Sequence, residues 1–269
     1  MSRAFKLSGV TFTATGLPSI YDPSFLAPNL VGWWAADQGL TVNGSNQVTN
    51  WNDLSGAGNS LGNPTAANSL VETLAGQNGL PVLSSPTASP TQGYWVQSAA
   101  AITALGFSLT TPFSINVVIK RQAAGVVNES LISNNPSAGF AGWQLMIGTN
   151  FGNVAQFRIQ TTAGSSFSVH GSTVLSAGVA YVIGVTYDGS GTAAGIQIYV
   201  NGVAETMTIA INTATGAVAN GLLEIGGWGA TSNNFRDADF FCEAVIANVK
   251  ITTAQIAQLT AYYRAKWGF

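Results

Sequence analysis

Residues 180–203 read AYVIGVTYDGSGTAAGIQIYVNGV, and this stretch decides the fold. Tyr181, Ile183, Val185 and Tyr187 alternate with Val182, Gly184 and Thr186, a period of two rich in β-branched and aromatic residues, which predicts a strand. Asp188-Gly189-Ser190-Gly191 interrupts it with residues that tolerate tight or left-handed turns. A second strand continues through Ile196, Ile198 and Val200 and ends at Asn201-Gly202. That dipeptide is the strongest short hairpin signal, because a type I′ turn needs positive φ at both central positions. Two antiparallel hairpins therefore stand back to back.

The same rhythm continues on both sides. Phe113, Ile115, Val117 and Ile119 alternate with Ser114, Asn116, Val118 and Lys120. Strands are also predicted at the segment ending Leu131–Asn135, at Gly142–Gly148 and at Ala155–Gln160, with Asn150, Gly152 and Asn153 turning the chain between the last two. Short strands with Gly/Asn turns and no intervening helix are what a sandwich produces. Residues 62–93 read as a long surface excursion holding one short strand around Gly79–Leu83. One helix is expected near the end, capped by Thr252 or Thr253, with Ile256, Leu259 and Tyr263 on one face.

Residues 1–29 differ from the rest. Val10, Phe12 and Ala14 alternate with threonines, and Pro18, Pro23 and Pro28 punctuate the remainder of the segment. This reads as a short strand and an extended arm, which either pads its own domain or docks on a neighbouring subunit. The globular domain is expected over 30–269.

Several motifs carry a resemblance to a known family. The strand pair ending VTYDGS and YVNGV is similar to the central hairpin of laminin-G-like, concanavalin A-like jelly-roll domains. Leu30–Gly39, with Trp51-Asn52-Asp53-Leu54-Ser55-Gly56-Ala57-Gly58-Asn59 after it, resembles the opening of such domains in phage virion proteins and bacterial surface proteins. Gln77–Pro81 resembles the family's N-G-x-P step, and Leu222–Gly227 its L-x-I-G-G strand. Phe240–Ile251 corresponds to the penultimate strand, with Ala247 and Asn248 where many members carry carboxylates. Ala261–Gly268 is similar to the Y-L-x-x-K-W-G tail that closes the phage and bacterial-surface variant. The resemblance implies an all-β, two-sheet antiparallel jelly-roll sandwich with one C-terminal helix and an extended N-terminal arm.

Composition bounds the function. Charged residues make up 7% of the chain, against about 25% in typical soluble domains. Net charge is −2 and the nine basic residues are scattered, so no electrostatic footprint for nucleic acid is present. No apolar run reaches the roughly 18 residues that span a membrane. The first residues lack the apolar stretch of a secretory signal, which predicts synthesis in a host cytoplasm without standard export.

Chemistry-bearing residues are few. His170 and Cys242 are the single histidine and cysteine; the first reads as a turn residue at a strand end, the second as a small buried hydrophobe. In the family the Asp-x-Ser-Gly-x-Gly-Asn turn sometimes ligates calcium, which here would involve Asp53, Ser55, Gly56 and Asn59. Calcium takes about six to eight oxygens, and Asp53 is the only carboxylate between Gln38 and Val71. The turn is therefore expected to be held by hydrogen bonds, with no metal and no cofactor. Retaining glucanases need two carboxylates about 5–5.5 Å apart, and the E-x-D-x-E strand that supplies them in enzymes of this fold is missing. Asp237 and Asp239 sit in an expected loop beside Arg236, so no catalytic residue is assigned.

A carbohydrate site needs an exposed aromatic ring with amides around it. Trp228, set among glycines and close to Asn233 and Asn234, meets that description. Trp33, Trp34, Trp51, Trp143 and Trp267 fall in strand or helix patterns and are assigned to the core. The family resemblance, the scarcity of charge and the arm with Arg3 and Lys6 together imply a non-enzymatic structural protein of a tailed-phage virion. It would be a head decoration or tail accessory protein held to other virion proteins through the arm, as a homo-oligomer such as a trimer. The alternative is an adhesin that binds a host surface glycan through Trp228.

Overall fold

The computed structural model describes residues 22–63, 68–85, 94–121, 129–135, 141–227 and 240–269. Among these residues the chain folds as a β-sandwich of two antiparallel sheets with one C-terminal α-helix.

The eight-stranded sheet runs, edge to edge, through Val203–Ala204, Ile196–Val200, Ala180–Tyr187, Phe113–Lys120, Phe240–Ala247, Leu80–Ser84 and Val71–Gln77, with Leu30–Ala35 also paired to Phe240–Ala247. The ten-stranded sheet runs through Thr208–Asn212, Ser166–Val174, Val154–Gln160, Gly142–Gly148, Glu129–Asn135, Leu222–Ile225, Val96–Ser98, Leu61–Gly62, Val48–Trp51 and Leu40–Val42.

The hairpin over 180–203 forms as its sequence predicts. Val200 pairs with Val203 across Asn201 and Gly202, whose φ angles of 52° and 82° are the positive pair a type I′ turn requires. A side chain at Gly202 would also collide with Thr260 on the helix, 2.7 Å from the nearest atom. The first strand, Ala180–Tyr187, is buried along its whole length. It sits between two partners in the sheet, and residues on both of its faces are covered.

The stretch 62–93 also departs from the single short strand expected. Val71–Gln77 pairs with Leu80–Ser84 as a hairpin around Asn78 and Gly79, both at positive φ, and Leu61–Gly62 forms a further short strand. Val71–Gln77 escaped notice because it is a sheet edge, half-buried to exposed throughout, and carries no apolar alternation. Ser166–Val174 is one strand, so His170 lies inside it rather than in a turn at its end.

The core fills the space between the sheets. Phe107 and Phe113 stack at 4.3 Å between ring centroids, and Phe157, Tyr187 and Trp143 complete the aromatic cluster. Trp33, Trp34, Trp51, Trp143 and Trp267 are all core members, as is Cys242, whose thiol pKa burial pushes well up. Of the segment before Leu30, residues 22–29 are described: Pro23–Leu26 forms a 3-10 turn and Leu26 is buried in the core. Residues 1–21, with Arg3 and Lys6, lie outside the described residues.

The helix Thr253–Trp267 begins with a capping box between Thr252 and Gln255. Ile256, Leu259 and Tyr263 are buried as their spacing predicts. Its last carbonyls are satisfied from the neighbouring hairpin turn: Gln77 donates to Trp267 O at 2.8 Å and Asn78 to Lys266 O at 3.0 Å. The helix covers Glu243, which points away from the inter-sheet core and is completely buried.

Candidate functional site

The sequence-assigned site residues do not fall within the described structure. Trp228, Asn233 and Asn234 lie outside the described residues, as do Arg236, Asp237 and Asp239. What the structure does bring together lies on the outer face of the ten-stranded sheet.

On each strand of that sheet, alternate residues enter the core and the others face outward. Trp143, Leu145 and Ile147 point in, which leaves Gln144 and Met146 out; Phe157 and Ile159 point in, leaving Gln156, Arg158 and Gln160 out. Register then aligns one outward residue per strand into a lateral row. Gln97 stands opposite Glu224, Glu224 opposite Ser133, Ser133 opposite Gln144, Gln144 opposite Arg158, and Arg158 opposite Ser168. Six adjacent strands thus present amides, hydroxyls, a carboxyl and a guanidinium side by side. In a second row Met146 faces Gln156, and Gln156 faces His170.

An ordinary outer face is solvated, but this one is not. Gln144 is 2% exposed, Gln156 6%, and Ser133, Glu224 and Ser168 are likewise buried. Some of their polar atoms are satisfied within the molecule: Gln156 Nε2 donates to Ser168 Oγ at 3.0 Å, and the Ser130 and Ser133 hydroxyls both donate to Gly227 O. Others are not. Among the described residues Gln144 has no hydrogen-bond partner for either its amide nitrogen or its amide oxygen, Gln156 none for Oε1, and Arg158 none for Nε. A buried polar group left without a partner costs about 1–3 kcal/mol. Four such atoms in adjacent residues of one face ask for an explanation.

An exposed aromatic ring stands beside them. Phe151, on the 3-10 turn Thr149–Phe151, is 39% exposed and stacks on the His170 ring at 4.4 Å and 17°. The chain reaches this position through a tight turn with Gly152 and Asn153 at positive φ. Gly148 lets the groups close in: a side chain there would lie 2.7 Å from Gln156 Oε1 and 3.1 Å from the Phe151 ring. Phe151, His170, Gln156, Gln144 and Arg158 therefore form one cluster. Arg158 comes two residues after Gln156 on the same face, at about 7 Å, and Gln144 lies one strand away at about 5 Å. An uncovered ring with amides and a guanidinium around it can stack on the apolar face of a sugar and hydrogen-bond its hydroxyls.

At the other end of the row a shallow groove opens between Thr49, Asn50, Gly62, Asn63 and Gln97. Trp95 belongs to this end. It is buried yet outside the core cluster, and its indole donates to Gln97 Oε1 at 2.9 Å.

The Asp53 turn holds itself together. Both oxygens of Asp53 are occupied, accepting from Trp33 N at 3.0 Å, Ser55 N at 2.9 Å, Ser55 Oγ at 2.8 Å and Asn59 N at 2.9 Å. Among the described residues no group of three or more His, Cys, Asp or Glu is placed to hold a metal ion. Three further acids are engaged within the fold: Glu129 pairs with Arg121 at 3.0 Å, Glu205 accepts from Ser172 and Thr173, and Glu243 accepts from Lys266 beneath the helix.

Sequence reasoning missed this cluster. The signal was present in Thr149-Asn150-Phe151-Gly152-Asn153, an aromatic set among Asn and Gly like Trp228, and in the polar alternation Gln156, Arg158, Gln160.

No protein-family model matches the chain, and comparison with curated protein sequences finds no match. Solved structures do share the fold. The binding domain of Paraclostridial Mosquitocidal Protein 1 is similar at a TM-score of 0.63 and 16% identity, over 88% of this chain and 53% of that one. The Botulinum Neurotoxin serotype G binding domain gives 0.60 and 14%, over 87% and 51%. A Trypanosoma rangeli sialidase in complex with sialic acid gives 0.57 and 14%, over 89% and 34%. The chain spans about half the length of the two toxin domains and a third of the sialidase. At these identities the likeness establishes the β-sandwich fold.

Proposed function

We propose that this chain is a non-catalytic recognition module that binds a glycan on the outer face of its ten-stranded sheet. The observation that carries the reading is Gln144, buried with neither amide atom partnered, on a polar face whose neighbouring row ends at His170 and the exposed Phe151 ring stacked on it. Proteins seldom bury an amide without partners, and binding sites present a few placed polar groups of this kind to orient a ligand. Two of the structures sharing the fold are toxin binding domains by description, and a third is a sialidase solved with sialic acid; these support recognition as the role of such a sandwich. The reading without catalysis is supported by the engagement of Asp53, Glu129, Glu205 and Glu243 with donors inside the fold.

The finer proposal is that the module rides on the surface of a tailed-phage virion, as a head decoration or tail accessory protein, with residues 1–29 as its attachment and a homo-oligomer as its working form. It is supported by the resemblance of the opening and closing motifs and by a chain with only 7% charged residues. The direct test is binding of the full chain to a glycan array and to host cells. Phe151→Ala and Gln144→Ala should each abolish binding while the melting curve remains cooperative. Unchanged binding in both variants rules the face out. Deleting residues 1–21, which leaves the core residue Leu26 in place, should abolish incorporation into particles and leave glycan binding intact; normal incorporation defeats the role given to the arm.

A further inference from the structure

We infer that the glycan taken by this face carries a carboxylate, and that Arg158 is the group that receives it. The inference rests on the glycan reading above and narrows it to acidic sugars, those of the uronic and sialic acid class.

Arg158 is half-buried at the middle of the lateral row, opposite Gln144 on one side and Ser168 on the other. No carboxylate among the described residues pairs with it. The nearest acid of the row in strand order is Glu224, three strands away through Ser133 and Gln144, about 14 Å at the usual strand spacing. The other described cations are differently placed. Arg121 pairs with Glu129, Lys250 with Asp188, and Lys266 with Glu243 and Asp37. Lys120 lies over the Phe240 ring, and Arg264 donates to Asn201 O.

The geometry of the guanidinium fits a planar anion. Its Nη2 donates to Gln160 Oε1 and keeps a second hydrogen, while Nε is buried and donates to nothing among the described residues. Nε and Nη2 form one edge of the planar fork, and that edge matches the two oxygens of a carboxylate. A guanidinium partly withdrawn from water and left without a counter-charge is unfavourable by itself. The same withdrawal strengthens its attraction for an arriving anion. Gln144, with both amide atoms unpartnered, stands directly across the strand pair, where it can serve a hydroxyl or acetamido group next to the carboxylate. Gln156 Oε1 and the Phe151 ring, on the same face, would then take the far side of that sugar.

The test uses an array of uronic- and sialic-acid-containing glycans beside the same glycans with their carboxyl groups reduced to alcohols. It compares the wild-type chain with Arg158→Gln, each checked for a cooperative melt. Wild type should retain acidic glycans at least about tenfold more tightly than their reduced forms, and Arg158→Gln should lose that preference. Should Arg158→Gln fail to fold, the comparison of acidic with reduced glycans on wild type decides alone. Equal retention of both forms overturns the carboxylate inference while leaving the glycan reading in place. Retention of sulfated or phosphorylated glycans only also overturns it, since the ligand would then be a tetrahedral anion. Failure of wild type to retain any glycan overturns both.

Discussion

Glu243 Oε2 lies 2.9 Å from Lys266 Nζ beneath the C-terminal helix. Glu243 is fully buried and accepts as well from Trp33 Nε1 at 2.7 Å, Trp267 Nε1 at 2.8 Å and the Tyr262 hydroxyl at 3.1 Å. Lys266 also pairs with Asp37 at 2.8 Å. The Tyr-x-x-x-Lys-Trp ending of the chain is thus a set of donors aimed at one carboxylate. Glu243→Ala should lower unfolding free energy by about 3–5 kcal/mol, because it leaves two buried indole N–H groups without their acceptor and takes from Lys266 one of its two carboxylates. Replacing both charges together, as Glu243→Leu with Lys266→Met, should recover part of that loss. Denaturant titration of the three proteins measures it, and a double variant no better than the single one contradicts the account.

The Asp53 turn should behave as a structural element independent of metal. Asp53→Ala removes the acceptor for four donors and should lower stability by about 1–3 kcal/mol. Chelator or added calcium should leave the melting temperature of the wild type unmoved, since a ligand held only by the folded state would raise it. A chelator-induced drop of many degrees would overturn the expectation of no metal.

Gln144 offers a test in which stability and binding move in opposite directions. Gln144→Leu replaces two unpartnered buried polar atoms with methyl groups of similar bulk, and should raise stability by about 1 kcal/mol or more. The same change should abolish glycan binding. A destabilised Gln144→Leu protein would show that the amide is satisfied by its surroundings.

Glu205 predicts a pH dependence. Burial alone would raise its pKa, but N–H and hydroxyl donors of Thr173 and Ser172 outweigh it and hold the carboxyl below its ordinary value of 4.5. A depressed pKa contributes stability that is complete above the unfolded value and is lost as pH falls through the folded one. Wild type should therefore melt above Glu205→Gln at neutral pH, and the gap should close below pH 4.5. Parallel thermal melts across that range suffice, and a gap that widens on acidification reverses the sign and refutes the assignment.

Much of this molecule is legible from local pattern. Asn201-Gly202 specifies its turn because only residues tolerant of positive φ fit a type I′ hairpin, and that turn fixes the register of Val200 with Val203. Period-two alternation marks the central strands, and Thr252, Gln255, Ile256, Leu259 and Tyr263 mark the helix and its buried side. These are short-range properties, decided within a few residues.

What only the tertiary structure decides is which outward residues of different strands become neighbours. Gln97, Glu224, Ser133, Gln144, Arg158 and Ser168 are scattered over more than a hundred positions of the chain, and strand order and register alone bring them into one row. Nothing local separates Gln144, buried and unpartnered, from a solvated glutamine on any exposed strand. Glu243 was equally opaque, because its four donors come from Trp33 and from a helix 19 to 24 residues further on. Side chains report their own strand or helix through periodicity, but a site is a relation between elements, and that relation exists only once the sheets have formed.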